Sequence, residues 1–178
     1  SQGVSTMAMG GFQLIKIILD DLYSQIPGDK DAKIQSELNY LHDRYDRLKD
    51  SNEEPIDYAP PETRFAYVFR YVPISADFAY QFIRNTSELR KVLDKPRVEV
   101  ACIGGGPGSD IVGILKYLNW SGLNPDNIIC DICDGESAWN DTWRHVNRYL
   151  NISRKFSTSF VSFDVTDEVD WSKHRGYL

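Results

Sequence analysis

The segment Gly104-Gly-Gly-Pro-Gly-Ser-Asp110 constrains this chain more than any other, because it joins two stretches of opposite periodicity. Before it, Val98–Ile103 (VEVACI) is a short β-rich run without gaps, which predicts a parallel strand covered on both faces. After it, Ile111, Leu115 and Leu118 recur at helical spacing. A strand that enters a helix through a glycine turn opens a βαβ unit. In such a turn the missing side chains let the backbone approach a ligand, and glycine accepts a positive φ that strains other residues.

The alternation continues downstream. Asn127–Cys133 (NIICDIC) reads as a second strand, Glu136–Leu150 as a helix with Trp139, Trp143, Val146 and Leu150 on one face, and Thr158–Phe163 (TSFVSF) as a third strand. Strand, turn, helix, strand, helix, strand is half of a doubly wound sheet.

Upstream the pattern is helical. Phe12, Ile15, Leu19, Leu22 and Ile26 form one stripe and Ile34, Leu38, Leu41, Tyr45 and Leu48 another, which together predict a helical hairpin. Residues 51–61 (SNEEPIDYAPP) read as a linker, and Pro61 suits the first position of a helix over Glu62–Val72 that Pro73 is expected to end. Ser75 or Asp77 caps a further helix through Phe82, and Thr86–Leu93 adds another short one. The aromatic residues of 51–97 stand in a segment of zero net charge, which favours a buried core over a base-stacking surface.

The fold class is therefore α/β: an N-terminal helical region followed by a partial, mostly parallel sheet. Residues 1–9 are expected to be a disordered leader that begins with a cloning remnant, 10–96 a helical domain, and 97–178 a partial nucleoside-binding domain.

Charge narrows the ligand. The net charge is −6, and all of it falls in residues 98–143, where Asp and Glu outnumber Lys and Arg by six. An acidic loop disfavours a pyrophosphate, and the GxGxG spacing of Gly104, Gly106 and Gly108, with Asp110 in the first helical turn, departs from the GxGxxG dinucleotide fingerprint. Asp134 ends the second strand, where a carboxylate accepts both hydroxyls of a ribose; Asp131, inside the strand, is the less favoured alternative. Asp164 ends the third strand, in reach of an adenine amino group, although Asp-Val-Thr taken alone reads more readily as a strand-end turn.

On VACIGGGPGSD, CDGE and SFDVTD, residues of the stretch 98–170, the chain resembles the class I S-adenosylmethionine-dependent methyltransferases, which have a Rossmann-like fold. The resemblance implies that Gly104, Gly106, Pro107 and Gly108 pass beneath the methionine part of S-adenosylmethionine. It also implies that Asp134 binds the ribose, that Asp164 and Val165 border the adenine, and that residues 10–93 form a cap. S-adenosylmethionine carries a sulfonium and an ammonium against one carboxylate, so Asp110, Asp134 and Glu136 suit it. The family commonly has an acid where this chain has Cys102, so the usual polar contact near the methionine end is either missing or supplied elsewhere, with Asp110 as the candidate. Further strands follow the third in the family, so a missing C-terminal half or a second chain is expected to complete the sheet, and no residue is placed as a catalytic base. The acceptor stays open among nucleic acid, protein and small molecule. The basic run Arg144–Lys155 leans toward RNA, although a solvated helix end is the commoner use of such a run. A catalytically silent binding module of the same fold is the alternative.

Other motifs carry less. Cys130 and Cys133 form a CxxC inside β-rich sequence, where positions i and i+3 face opposite sides, so no metal site is expected. The three cysteines, an odd count, and the lack of a signal-like or membrane-length apolar run lead to the expectation of an intracellular protein without a membrane span. Asn-x-Ser/Thr sequons at Asn85, Asn119, Asn140 and Asn151 read as chance.

Overall fold

The computed structural model describes residues 10–47, 54–150, 156–174 and 176; the expected leader 1–9, Leu48, part of the linker, and Arg154 and Lys155 of the basic run lie outside the described residues. Four helices, α1 (Gly11–Gln25), α2 (Lys30–Arg47), α3 (Pro61–Asn85) and α4 (Ser87–Leu93), precede β1 (Arg97–Ile103), α5 (Ser109–Ser121), β2 (Asn127–Asp134), α6 (Ala138–Leu150), β3 (Phe156–Ser162) and α7 (Glu168–Lys173). The α/β reading and its element order hold. The short α7 was not anticipated.

Three expectations for the helical region need correction. The buried stripe of α1 is Leu14, Ile18 and Leu22, running on to Ile26, not the stripe that begins at Phe12, which is 81% exposed. Both readings of this apolar-rich helix have helical spacing, and only the position of the packing partner decides between them. Secondly, α1 and α2 do not form a hairpin: each packs on α3. Thr63 donates to Glu37 at one end of the α2–α3 contact (3.1 Å), and the rings of Tyr45 and Tyr71 meet at the other (4.7 Å), so these two helices run in the same direction.

Thirdly, Pro73 does not end a helix, because α3 runs through it. Proline removes one N–H and presses its ring toward the carbonyl four residues back. Pro73 and Phe69 both lie on exposed surface, so water can serve the Phe69 carbonyl, while the flanking Val72 and Ala76 are buried and hold the helix against its neighbours. Pro73→Ala is accordingly expected to stabilise the fold by about 1–3 kcal/mol, seen as a higher denaturation midpoint at unchanged m.

The sheet is parallel in the order β1-β2-β3. Val98, Cys102, Ile128, Cys130, Ile132 and Phe156 face one side, where they pack with Ile111, Leu115 and Leu118 of α5 and Trp139, Trp143 and Val146 of α6. Two right-handed crossovers that step in one direction across a sheet put both helices on the same face. Helix α3 then packs on α5, closely enough that a Cβ on Gly113 would stand 2.7 Å from the Cβ of Ala79.

The opposite face departs from the strand expected to be covered on both sides. Its register rows are Glu99–Ile129–Ser157, Ala101–Asp131–Ser159 and Ile103–Cys133–Val161. None of their apolar side chains joins the core cluster. Among the described residues this face is covered toward its carboxyl end: Cys133 is buried, and Phe163, which keeps the parity of Val161, is buried and meets Trp171 of α7 edge-on at 4.8 Å. Among the described residues, no helix is long and apolar enough to cross a membrane.

Candidate functional site

Parallel register brings the carboxyl ends of the strands level, with Ile103 opposite Cys133 and Asp134 opposite Ser162, so the glycine turn, Asp134 and the Phe163–Asp164 segment stand side by side. This end of an open α/β sheet is where ligands bind. Two shallow concavities, of about 200 and 330 Å³, lie elsewhere, around Leu93, Pro96 and Leu123 and around Arg90, Lys91 and Tyr117, at the amino end of the strands.

The turn is pinned from below by its own backbone. Gly104 and Gly105 both donate to the Cys133 carbonyl (2.7 and 3.2 Å), Gly106 donates to Asp134 Oδ2 (2.9 Å), and Gly108 donates to the Gly105 carbonyl (2.6 Å). Pro107 has no N–H to offer. The amides of the turn up to Gly108 are thus spent within the protein, and the N–H groups left to a ligand begin at the first turn of α5, beside Asp110.

The three glycines of the GxGxG set serve different neighbours. A Cβ at Gly106 would stand 2.9 Å from Trp139 Nε1 and 3.0 Å from Asp134 Oδ2, and one at Gly108 would stand 2.3 Å from Trp143 Cζ2. Gly108 also has φ +79°, as the left-handed residue that starts α5. Gly104, at φ +66°, has no atom within 4 Å of where its Cβ would be, so it is the glycine with open space before it. Trp143 supports the turn: its indole N–H donates to the Gly106 carbonyl (2.6 Å) from a fully buried position.

Asp134 is fixed at both oxygens. Oδ2 accepts from Gly106 and Oδ1 from the Glu136 amide (2.8 Å), which sets the carboxylate plane while each oxygen keeps a second lone pair. Asp110 is exposed along part of its side chain, yet desolvation by its neighbours raises its carboxyl pKa. Asp110 is close enough to Cys102 to help raise that thiol, although burial is the main cause. Cys102 is buried on the helix-covered side and neutral, so it does not supply the missing acid; Asp110 is the nearby carboxyl that the sequence offered in its place.

Asp164 forms a local turn: Oδ1 accepts from the amide (2.8 Å) and hydroxyl (2.7 Å) of Thr166, and these bonds lower its pKa. Its own amide donates to Asp170 (2.9 Å), and Trp171 donates to the Val165 carbonyl (2.9 Å). Asp164 and Val165 are exposed at the third strand's end, with Asp164 Oδ2 making no bond to Thr166. Asp131 lies half-buried in the centre of the uncovered sheet face, away from the turn. Cys130 and Cys133 are both buried and, by strand parity, face opposite sides; burial pushes the Cys130 thiol up to about 12. Among the described residues, no group of three His, Cys, Asp or Glu side chains is arranged to hold a metal ion.

The helical region adds a wall that the sequence motifs did not mark. Arg64 is buried and donates to the carbonyls of Tyr58 (2.9 Å) and Ala59, which holds residues 58–60 against α3. Burial lowers its pKa, and Glu136, Asp141 and Asp21 oppose that shift. The Tyr58 ring thereby lies 6.3 Å from Trp139 and 5.3 Å from Tyr67, and its hydroxyl is 2.7 Å from that of Tyr45. Desolvation raises the phenol pKa of Tyr45, Tyr58 and Tyr67; the wall reaches the carboxylate through Trp139, whose Nε1 and Asp134 Oδ2 stand 2.9 and 3.0 Å from where a Cβ on Gly106 would be. The i, i+4 pair Trp139–Trp143, directly after CDGE, was the available sequence signal for it. Tyr58→Phe is expected to cost about 0.5–1.5 kcal/mol of stability, measured by denaturant unfolding.

No protein-family model, curated protein or solved structure matches the chain.

Proposed function

We propose that the chain is the cofactor-binding half of an S-adenosylmethionine-dependent methyltransferase with a helical cap. The carrying observation is the Asp134 carboxylate, held by the Gly106 and Glu136 amides level with the open side of Gly104. Its spare lone pairs suit the two hydroxyls of a ribose. The spent amides of the turn speak against a pyrophosphate, and Asp110 speaks for a ligand with positive charge. Asp164 Oδ2 and the exposed Val165 side chain are available to an adenine. When bound, S-adenosylmethionine supplies an electrophilic methyl group; this chain's residues hold the nucleoside and leave the acceptor's proton to a group not placed here.

Sheet completion belongs to the same proposal. Helix α7 begins on the uncovered face, and the right-handed rule would send a strand following it to the free edge of β1. That pairing, whether from this polypeptide or a second chain, creates a topological switch point at the glycine turn. The acceptor class stays open between RNA, protein and small molecules. Arg144 and His145 of the basic run face Asp141 and Asp21 (both 3.4 Å), which weakens the support for RNA.

Calorimetric titration tests the reading. S-adenosylhomocysteine is expected to bind and NADH not to; NADH binding alone would move the chain to the dinucleotide oxidoreductases. The second reading, a silent binding module, is favoured by the buried, neutral Cys102. It is selected if neither ligand binds to the protein with its sheet completed.

A further inference from the structure

We propose that two copies of this chain pair through the exposed stripe of α3, antiparallel across a two-fold axis at Phe78. The stripe continues a seat that α2 fills only in part. Thr63, Tyr67 and Tyr71 of α3 meet Glu37 and Tyr45 of α2, and α2 ends two residues after Tyr45, at Arg47. Further along, the same face of α3 carries Ile74, Phe78 and Phe82, which are 69%, 75% and 59% exposed. Helix α5 lies on the other side of α3, where Gly113 meets Ala76, Ala79 and Tyr80.

The stripe is its own complement. With Phe78 on the axis, Ile74 stands level with the partner's Phe82, apolar on apolar. The exposed Ser75 stands level with the partner's Gln81, whose amide suits a hydroxyl. Arg70, also exposed, is level with the partner's Thr86, which closes α3, so its charge faces the negative end of that helix. A parallel pair would set Arg70 against Arg70 instead, and like charges repel. Asp77, at the margin of the stripe, is held by Lys116 of α5.

Three large apolar side chains from each copy, with their polar flanks, remove on the order of 1,000 Å² from water. That is near the lower limit for a specific pair, so the dimer is weak. Both copies use the same patch, and the assembly closes at two. Since α3 packs on α5, on the helix-covered side of the sheet, the pairing leaves the β1 edge and the opposite sheet face free. It does not depend on the nucleoside reading.

Sedimentation of the full chain from roughly 5 to 500 μM tests the pairing. The weight-average mass is expected to rise toward twice that of the monomer and no further. Phe78→Glu is expected to keep the chain monomeric, with far-ultraviolet circular dichroism showing it folded. Ser75→Cys and Gln81→Cys together are expected to cross-link two copies under mild oxidation far faster than either alone. About 9 Å apart along one helix, the two positions do not bridge within a chain, and the three native cysteines are buried. A wild-type chain that stays monomeric overturns the proposal, and cosedimentation of that monomer with phosphatidylcholine vesicles would assign the stripe to a membrane surface. Growth beyond the dimer, association that survives Phe78→Glu, or a single cysteine variant that cross-links as fast as the double one overturns it as well.

Discussion

Gly108→Ala is expected to lower the melting temperature by about 5–15 °C. Two penalties act at this position. The backbone sits at φ +79°, where a Cβ is strained, and the new methyl carbon would stand 2.3 Å and 2.4 Å from Cζ2 and Cη2 of Trp143. Trp143 cannot swing aside, since its ring is fully buried and its N–H holds the Gly106 carbonyl. Left-handed strain of about 1–2 kcal/mol and overpacking of about 1–3 kcal/mol add to roughly 2–5 kcal/mol. Gly122→Ala is the control: φ is +73° there, but no atom lies within 4 Å of the new Cβ, so only the strain is expected. Equal melting temperatures for the two variants would show that the turn does not rest on Trp143.

Gly104→Ala separates stability from binding in the same turn. It shares the positive φ and the empty surroundings of Gly122, so it should unfold no earlier than Gly122→Ala. Its Cβ would project into the space before the turn, and weaker S-adenosylhomocysteine binding is expected with no loss of stability beyond the left-handed strain it shares with Gly122→Ala.

These variants mark where sequence reading works. The VEVACI run, the glycine turn and the helical spacing of Ile111, Leu115 and Leu118 are local signals, and the structure forms β1, the turn and α5 from them. What each glycine faces is not local. Gly106 and Gly108 read like Gly104 in the sequence, yet their Cβ directions are filled by Trp139 and Trp143, more than thirty residues away. The α1 stripe failed for the same reason: several frames of an Ile/Leu-rich helix look amphipathic, and contact with α3, α5 and α6 selects Leu14, Ile18 and Leu22. Pro73 deceived in another way, because its helix-breaking cost is fixed by chemistry, while the burial on either side that outweighs it depends on tertiary packing. Parity in β1 likewise shows which residues share a face, but not whether that face is covered.

Asp134→Ala should affect both stability and binding, and the two effects can be separated. Removing the carboxylate leaves the Gly106 and Glu136 amides without their acceptor, at a cost of about 1–3 kcal/mol in folding stability. If the same carboxylate also accepts from a ribose, S-adenosylhomocysteine affinity should fall by about 10- to 100-fold even well below the melting temperature, as expected for losing charge-assisted hydrogen bonds. Asp134→Asn sharpens the comparison. Its amide nitrogen cannot accept, so one backbone N–H loses its partner and the charge is lost, while the side-chain volume is nearly unchanged. A pin for the turn requires two acceptor oxygens; a ribose site requires them on the face that Gly104 leaves open. If Asn and Ala lower the melting temperature but leave the affinity intact, Asp134 is a pin alone, and the nucleoside must be held by other groups along the carboxyl ends of the strands.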